Sequence, residues 1–296
     1  MLMECWDNCY TMAKTKWNLL FATFILSCGS LAVLIVSLCT PYWITSEAYE
    51  SSAYRNSEIN YGLFVGSLTQ NFLPNSRFYD LTMTCLYREY VCALSCQETE
   101  ETRTEEVLQL LKGLRPADCP VRTSKAYTAD LFDRHIPLIS RQDRPVNDRS
   151  NFINTGLWVS TVVFLGIAIA FASASAAFSI MNVLFNPVEP IFSVFGLYIW
   201  NGVVIGSSAL GMIMWGALFA STLSDNIAVT DTLTIQIPYS SAGLASLGAC
   251  YWVLFLPILL HGSNIGLLVW RRYIINKEPP QTTIDVDRSD LTIIMY

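Results

Sequence analysis

The stretch Trp17-NLLFATFILSCGSLAVLIVSL-Cys39 contains no charged side chain, and the charge-free run to which it belongs extends to Ser46. At about 1.5 Å of rise per residue it makes a helix roughly 34 Å long, enough to cross a hydrocarbon core of about 30 Å. A spanning segment must satisfy its own backbone hydrogen bonds in lipid, so a helix is the expected form. Lys14 and Lys16 precede the run, as basic residues precede a signal peptide. Its apolar core is longer than the usual h-region, however, and no small-x-small cleavage site precedes Pro41, so an uncleaved span is the better reading.

Three more stretches carry no charge: Ser150 to Val188, Pro190 to Ser224 and Thr232 to Trp270. None of the four shows the polar stripe toward water that a buried helix of a soluble protein keeps. The 296-residue chain is 52% hydrophobic and 14% charged, and 27 of its 42 charged residues (18 Lys and Arg, 24 Asp and Glu) lie between Thr40 and Gly156. One segment is wet and most of the rest is apolar. The expected fold class is an all-α membrane protein, a four-transmembrane-helix bundle with a large disulfide-containing first extracellular loop. Its division is a cytoplasmic N-terminus 1–16, spans at 17–39, 157–180, 194–220 and 247–270, outer loops 40–156 and 221–246, a cytoplasmic loop 181–193 and a cytoplasmic tail 271–296.

Lys14 and Lys16 before the first span, and Arg271, Arg272 and Lys277 after the last, place both termini in the cytoplasm of a multi-pass plasma-membrane protein. In the long loop, Gln97 to Arg115 reads as a helix packed on the loop's own strands. Thr102 and Glu105 stand in capping-box spacing, Val107, Leu108, Leu111 and Leu114 form the apolar face, and Pro116 ends it. The segment from Arg141 to Ser150 reads as a flexible approach to the second span, and Asn186-Pro-Val-Glu-Pro190 as a turn fixed by its prolines.

Cys85, Cys92, Cys96 and Cys119 fall in the outer loop, an even number that implies two disulfides with three possible pairings. Cys92 and Cys96 also have the spacing of zinc ligands, a weaker reading with no histidine nearby. Cys28, Cys39 and Cys250 are expected simply to pack, and Cys5 and Cys9 are either free thiols or palmitoylation sites. No Asn-x-Ser/Thr sequon occurs.

Raw material for catalysis is sparse. His261 is the sole Asp, Glu, His, Lys or Arg deep in a span, one turn past Pro257, and bonding to a neighbouring helix is a stronger reading than function. No acidic partner, Gly-rich phosphate loop or Ser/His/Asp set accompanies it, so no enzyme activity, metal or cofactor is expected, and no nucleic-acid partner. Gly202 and Gly206, and Gly262 and Gly266, stand in GxxxG spacing, which serves packing within the bundle in preference to dimer formation. The apolar terminus that includes Ile294, Met295 and Tyr296 can add as a strand to a PDZ domain, or be an untethered end.

Four spans with a large first loop resemble the broad claudin and peripheral-myelin-protein tetraspan group. Thr40-Pro-Tyr-Trp-Ile44, Tyr61-Gly-Leu-Phe-Val-Gly66, Phe185-Asn-Pro187, Phe195-Gly-Leu-Tyr198, Tyr251-Trp-Val-Leu-Phe255, His261-Gly-Ser-Asn264 and the closing Met295-Tyr296 resemble the clarin family more closely. The resemblance covers the spans and their edges; Leu68 to about Arg149 matches neither group. It implies a non-enzymatic membrane organiser or auxiliary subunit of sensory, mechanosensory cells, with lateral channel or adhesion partners and PDZ or actin-linked cytoplasmic ones. The rival expectations are a claudin-like adhesion or barrier protein, and a small transporter or lipid-modifying enzyme.

Overall fold

The structure, a computed structural model, describes residues 2–49, 56–72, 75–112, 149, 152–185, 193–224 and 243–277. Cys119, most of the 141–150 approach, the 186–190 turn and the tail residues Ile294, Met295 and Tyr296 lie outside them. The elements, in chain order, are α1 (Leu2–Cys39), β1 (Ile44–Tyr49), β2 (Asn56–Tyr61), β3 (Val65–Phe72), β4 (Asn75–Leu86), β5 (Val91–Ser95), α2 (Glu100–Leu111), β6 (Ile153–Asn154), α3 (Thr155–Leu184), α4 (Val194–Leu218), β7 (Ala245–Leu247), α5 (Ala249–Val253) and α6 (Phe255–Lys277). A π turn, Phe219–Leu223, prolongs α4.

Four helical stretches are long and apolar enough to cross a membrane: Trp17–Cys39, Thr155–Leu184, Val194–Leu223 and Ala249–Lys277. Their distribution of polarity is that of a lipid-exposed bundle. Ile25, Val36, Ile213, Leu259 and Trp270 point outward, while Ser27, Ser30, Ser175, Asn201 and Asn264 are sealed inside. Burying polar groups and exposing large apolar ones makes sense only where the surrounding solvent is itself apolar. The helices carry their polar residues on their inner faces.

The helices run beyond the expected spans. α1 begins at Leu2, and its stretch long and apolar enough to cross a membrane is Trp17–Cys39. α3 starts at Thr155, where Asn154 Oδ1 accepts from the Gly156 and Leu157 N–H groups at 2.9 and 3.2 Å. α6 continues past Arg271 and Arg272 to Lys277. Basic side chains at a span's end can reach the headgroups, so they do not stop the helix. Leu254 separates α5 from α6 three residues before the buried Pro257, whose ring disturbs the carbonyl of Val253.

The molecule is not all-α. All seven strands join in one antiparallel sheet, ordered β6-β5-β4-β3-β2-β1-β7, which curves as a half-barrel. Its two edge strands are anchored to spans: β6 runs directly into α3, and β7 leads into α5. Along β2, Ser57, Ile59 and Tyr61 are buried and Glu58 is exposed; along β4, Tyr79 and Leu81 are buried while Phe78 and Asp80 are exposed. That period of two turns one face of the sheet toward the ends of the helices. There Ile59, Tyr61, Leu68 and Leu81 join Trp215, Leu218 and Leu223 in one continuous core.

Trp43 forms the joint. Its Nε1–H donates to the Ser37 carbonyl at 2.8 Å, and its ring meets Trp215 edge-on with centroids 5.5 Å apart. Its backbone N–H donates to Tyr61 O at 3.0 Å, and its carbonyl accepts from Gly248 N–H at 2.8 Å. The three chain segments approach so closely that a Cβ on Gly62 would collide with the Thr40 carbonyl, and one on Gly248 with that of Tyr42. Glycine is required at both places.

α2 is shorter than the expected 97–115, and its cap lies three residues earlier than the expected Thr102. Thr99 Oγ1 accepts from Thr102 N–H at 3.3 Å. Its buried face is Glu106, Val107 and Leu110, whereas Leu108 is exposed and Leu111 only half-buried. Packing on Val91 and Ala93 thus turns Leu110 inward in place of the predicted Leu108 and Leu111. Val107 and Leu110 cover Val91 and Ala93, which explains why β5 is buried on both sides. Glu106 accepts from Ser95 Oγ and from the Cys96 backbone N–H, and burial pushes its carboxyl above the usual range.

Candidate functional site

The inner faces of the four spans converge on a fully buried polar core. His261, one turn beyond Pro257 on α6, has Nδ1 2.6 Å from Asn201 Oδ1 on α4. Asn264, three residues further along α6, donates from Nδ2 to the same Asn201 oxygen at 3.0 Å and to Ser27 Oγ of α1 at 2.9 Å. Ser27 shares a 3.2 Å hydrogen bond with Ser175 of α3. One turn away, Thr23 Oγ1 lies 3.3 Å from Ser179 Oγ. Every span thus contributes to one chain of polar contacts.

The pattern assigns the histidine's proton. Asn201 Nδ2 donates to the Leu197 carbonyl of its own helix at 2.6 Å, so the amide is oriented with its oxygen toward His261 and Asn264. That oxygen can only accept, so the bonding hydrogen sits on His261 Nδ1, and in the neutral ring Nε2 carries the lone pair. Nε2 and Asn264 Oδ1 are both buried without a partner among the described residues. Among the described residues, no group of three or more His, Cys, Asp or Glu stands together. This is the chemistry of neutral donors and acceptors that tie helices together in a medium offering no alternative partner.

Asn201 is the hub, with three hydrogen bonds through one amide. Asn201→Leu is expected to lower the stability of the protein in lipid nanodiscs by about 1–2 kcal/mol, as interhelical hydrogen bonds in membranes are worth. Thermal unfolding followed by intrinsic fluorescence measures it. An unchanged transition would mean that the network is ornamental.

No family model and no curated protein matches the chain.

The remaining predicted site residues are scattered over the molecule. Cys85 and Cys92 face each other across β4 and β5 and are bonded together. Cys96 is also disulfide-bonded, to a residue outside the described ones. With both Cys92 and Cys96 oxidised, the zinc reading falls. Of the cysteines expected to pack, Cys250 is buried with its Sγ 2.8 Å from Thr40 Oγ1, but Cys28 and Cys39 are exposed on the bundle's exterior.

Gly202, Gly206, Gly262 and Gly266 do not pack within the bundle. All four lie on outward faces, and a Cβ at any of them would meet nothing within 4 Å. Gly206 stands five residues from Asn201 and Gly266 five from His261, about 140° round a helix whose other side is sealed. Asn201, Ser27 and Ser175 do not stand out in the sequence, and Asn264 does so only within the His261-Gly-Ser-Asn264 string. The signal was present in α1, where Thr23, Ser27, Ser30 and Ser37 recur at helical spacing along one face, and all four are buried.

Proposed function

We propose that the chain is a non-enzymatic membrane organiser or auxiliary subunit of the clarin type, at the plasma membrane with both termini cytoplasmic. It binds other membrane proteins laterally through its helix faces and supports channel or actin-linked complexes of sensory cells. The observation that carries this reading is the position of the four glycines. On α4 the outward row runs Ile199, Gly202, Gly206, Leu210, and on α6 it runs Leu259, Gly262, Gly266, Trp270. A row of large apolar side chains suits lipid, whereas a paired gap of two glycines lets another helix backbone approach. Asn201, His261, Asn264, Ser27 and Ser175, the polar residues of the core, bond one helix to another.

The disulfides support the orientation. They form in oxidising compartments, which supports a sheet on the outer side and, with Lys14, Lys16, Arg272 and Lys277 near the other ends of α1 and α6, termini in the cytoplasm.

Proximity labelling in native tissue tests the proposal with three proteins: the intact chain, a chain lacking Ile293 to Tyr296, and the double variant Gly206→Ile, Gly266→Ile. The open space at both glycines leaves the fold intact. The glycine variant is expected to lose lateral membrane neighbours, and the truncation to lose PDZ or actin-linked ones. Recovery of junctional proteins alone, indifferent to both changes, would replace this reading with a claudin-like barrier.

A further inference from the structure

The four-residue turn between β4 and β5, Tyr87-Arg88-Glu89-Tyr90, sits at the very start of a span. β5 pairs with β6 through Val91 opposite Asn154, which is the N-cap of α3. The Thr155 N–H, the first of α3, donates to the Tyr90 carbonyl at 3.3 Å. The height of the turn is therefore fixed to that of Thr155 by the backbone itself. One turn deeper, Trp158 donates from Nε1 to Leu63 O at 2.8 Å and meets Phe64 edge-on.

α3 has 30 residues, about 45 Å at 1.5 Å each, which equals the thickness of a bilayer including both headgroup layers. Its first residue then lies among headgroups, and so does the turn.

The composition of the turn fits that place. Tyr87 and Tyr90 are 65% and 68% exposed, among the most exposed large side chains of the described residues. Tight turns in water favour Gly, Asn, Asp and Ser. Tyr90 moreover adopts φ 59°, a conformation that disfavours a bulky side chain by about 1–2 kcal/mol and that glycine would adopt freely. A tyrosine that strains the backbone and is two-thirds exposed gains more from an apolar surround than from water. Tyrosine is enriched where an apolar ring meets headgroups and its hydroxyl meets water. Glu89 is paired with Arg149 at 2.6 Å, and exposed Arg88 has no ion-pair partner among the described residues, so its guanidinium is free to bond an anionic phosphate.

We propose that the β4–β5 turn is a foot by which the sheet rests on the lipid surface, with Tyr87 and Tyr90 inserted at the level of the headgroups and Arg88 on lipid phosphate. The ligand is the bilayer surface on the sheet's side, and the proposal rests only on the helices crossing that bilayer. The foot fixes the tilt of the sheet over the bundle at its β6 edge, opposite the edge that β7 ties down.

The test uses the full chain in nanodiscs of phosphatidylcholine and phosphatidylserine, with the photoreactive p-benzoylphenylalanine placed singly at Tyr87, Tyr90 or Phe78. Phe78 is also exposed, and it lies eight residues up β4 from Leu86, about 26 Å along the strand. After irradiation, lipid adducts counted by mass spectrometry are expected to be several-fold more abundant at 87 and 90 than at 78. Adduct yields at 87 and 90 no greater than at 78, or adducts to protein in place of lipid, would overturn the proposal. Position 87 has no unusual backbone conformation, so it decides the matter even if the substitution at 90 disturbs the turn.

Discussion

Trp43→Ala is expected to destabilise the protein by about 3–5 kcal/mol, the range for deleting a fully buried tryptophan. The ring is completely sealed, spans the boundary between bundle and sheet, and carries a hydrogen bond that ends on α1. Removing it opens a cavity against Trp215 and leaves the Ser37 carbonyl without that donor. Ser37 is also bound to the segment leading into α6, since its Oγ donates to Cys250 O at 3.1 Å. The loss should therefore loosen the joint between the first and fourth spans as well as the sheet. Trp43→Phe separates the two effects: it retains most of the ring contact and loses the donor, an expected change of about 1 kcal/mol. Trp252, which is exposed on the outside of α5, is the control, and Trp252→Ala should remain within about 0.5 kcal/mol of the parent. Thermal unfolding in nanodiscs ranks the three. A Trp43→Ala protein as stable as the Trp252→Ala one would disprove the joint.

The spans were legible in the sequence because a bilayer imposes a requirement on composition that a single segment must meet alone. Trp17 to Cys39 announces itself without reference to any other residue. The sheet imposes no such local requirement. Asn56 to Tyr61 and Val65 to Phe72 each contain several polar residues, and β1 completes its pairing with β7, Ile44 opposite Leu247, some two hundred residues later. Those pairings are what make the strands, and spacing along the chain does not encode them. The polar core was hidden for a related reason. His261 was conspicuous as an ionisable group, but Asn201 is ordinary until α4 is set beside α6. The direction of the GxxxG pairs also depends on the rotation of each helix. The inward serines and asparagines fix that rotation, and reading them first would have turned Gly206 and Gly266 outward.

The double variant Cys85→Ser, Cys92→Ser is expected to lose about 2.5 kcal/mol, the loop-closure value for a ring of roughly eight residues. So short a ring yields less than a long one, yet its position multiplies the consequence. The bond clamps the base of the turn that carries Tyr90, and Tyr90 in turn holds the first N–H of α3. Opening it allows Tyr90 to relax out of its φ 59° conformation, so the energy that held a bulky residue there becomes available to pull the turn away from the span. Changing both cysteines matters, because a single thiol left at 85 or 92 could attack the bridge made by Cys96. Serine at 92 is tolerable in its buried site, where Thr155 Oγ1 lies 3.2 Å from the present sulfur and can bond a hydroxyl. The expected result is a lower unfolding temperature, reduced delivery to the cell surface, and a loss of lipid adducts at position 90 with the bundle still assembled. Non-reduced peptide mapping of the parent should recover Cys85 joined to Cys92 and Cys96 in a separate bridge. Normal surface delivery and unchanged stability of the double variant would show that strand pairing alone sets the turn, and that the disulfide only records it.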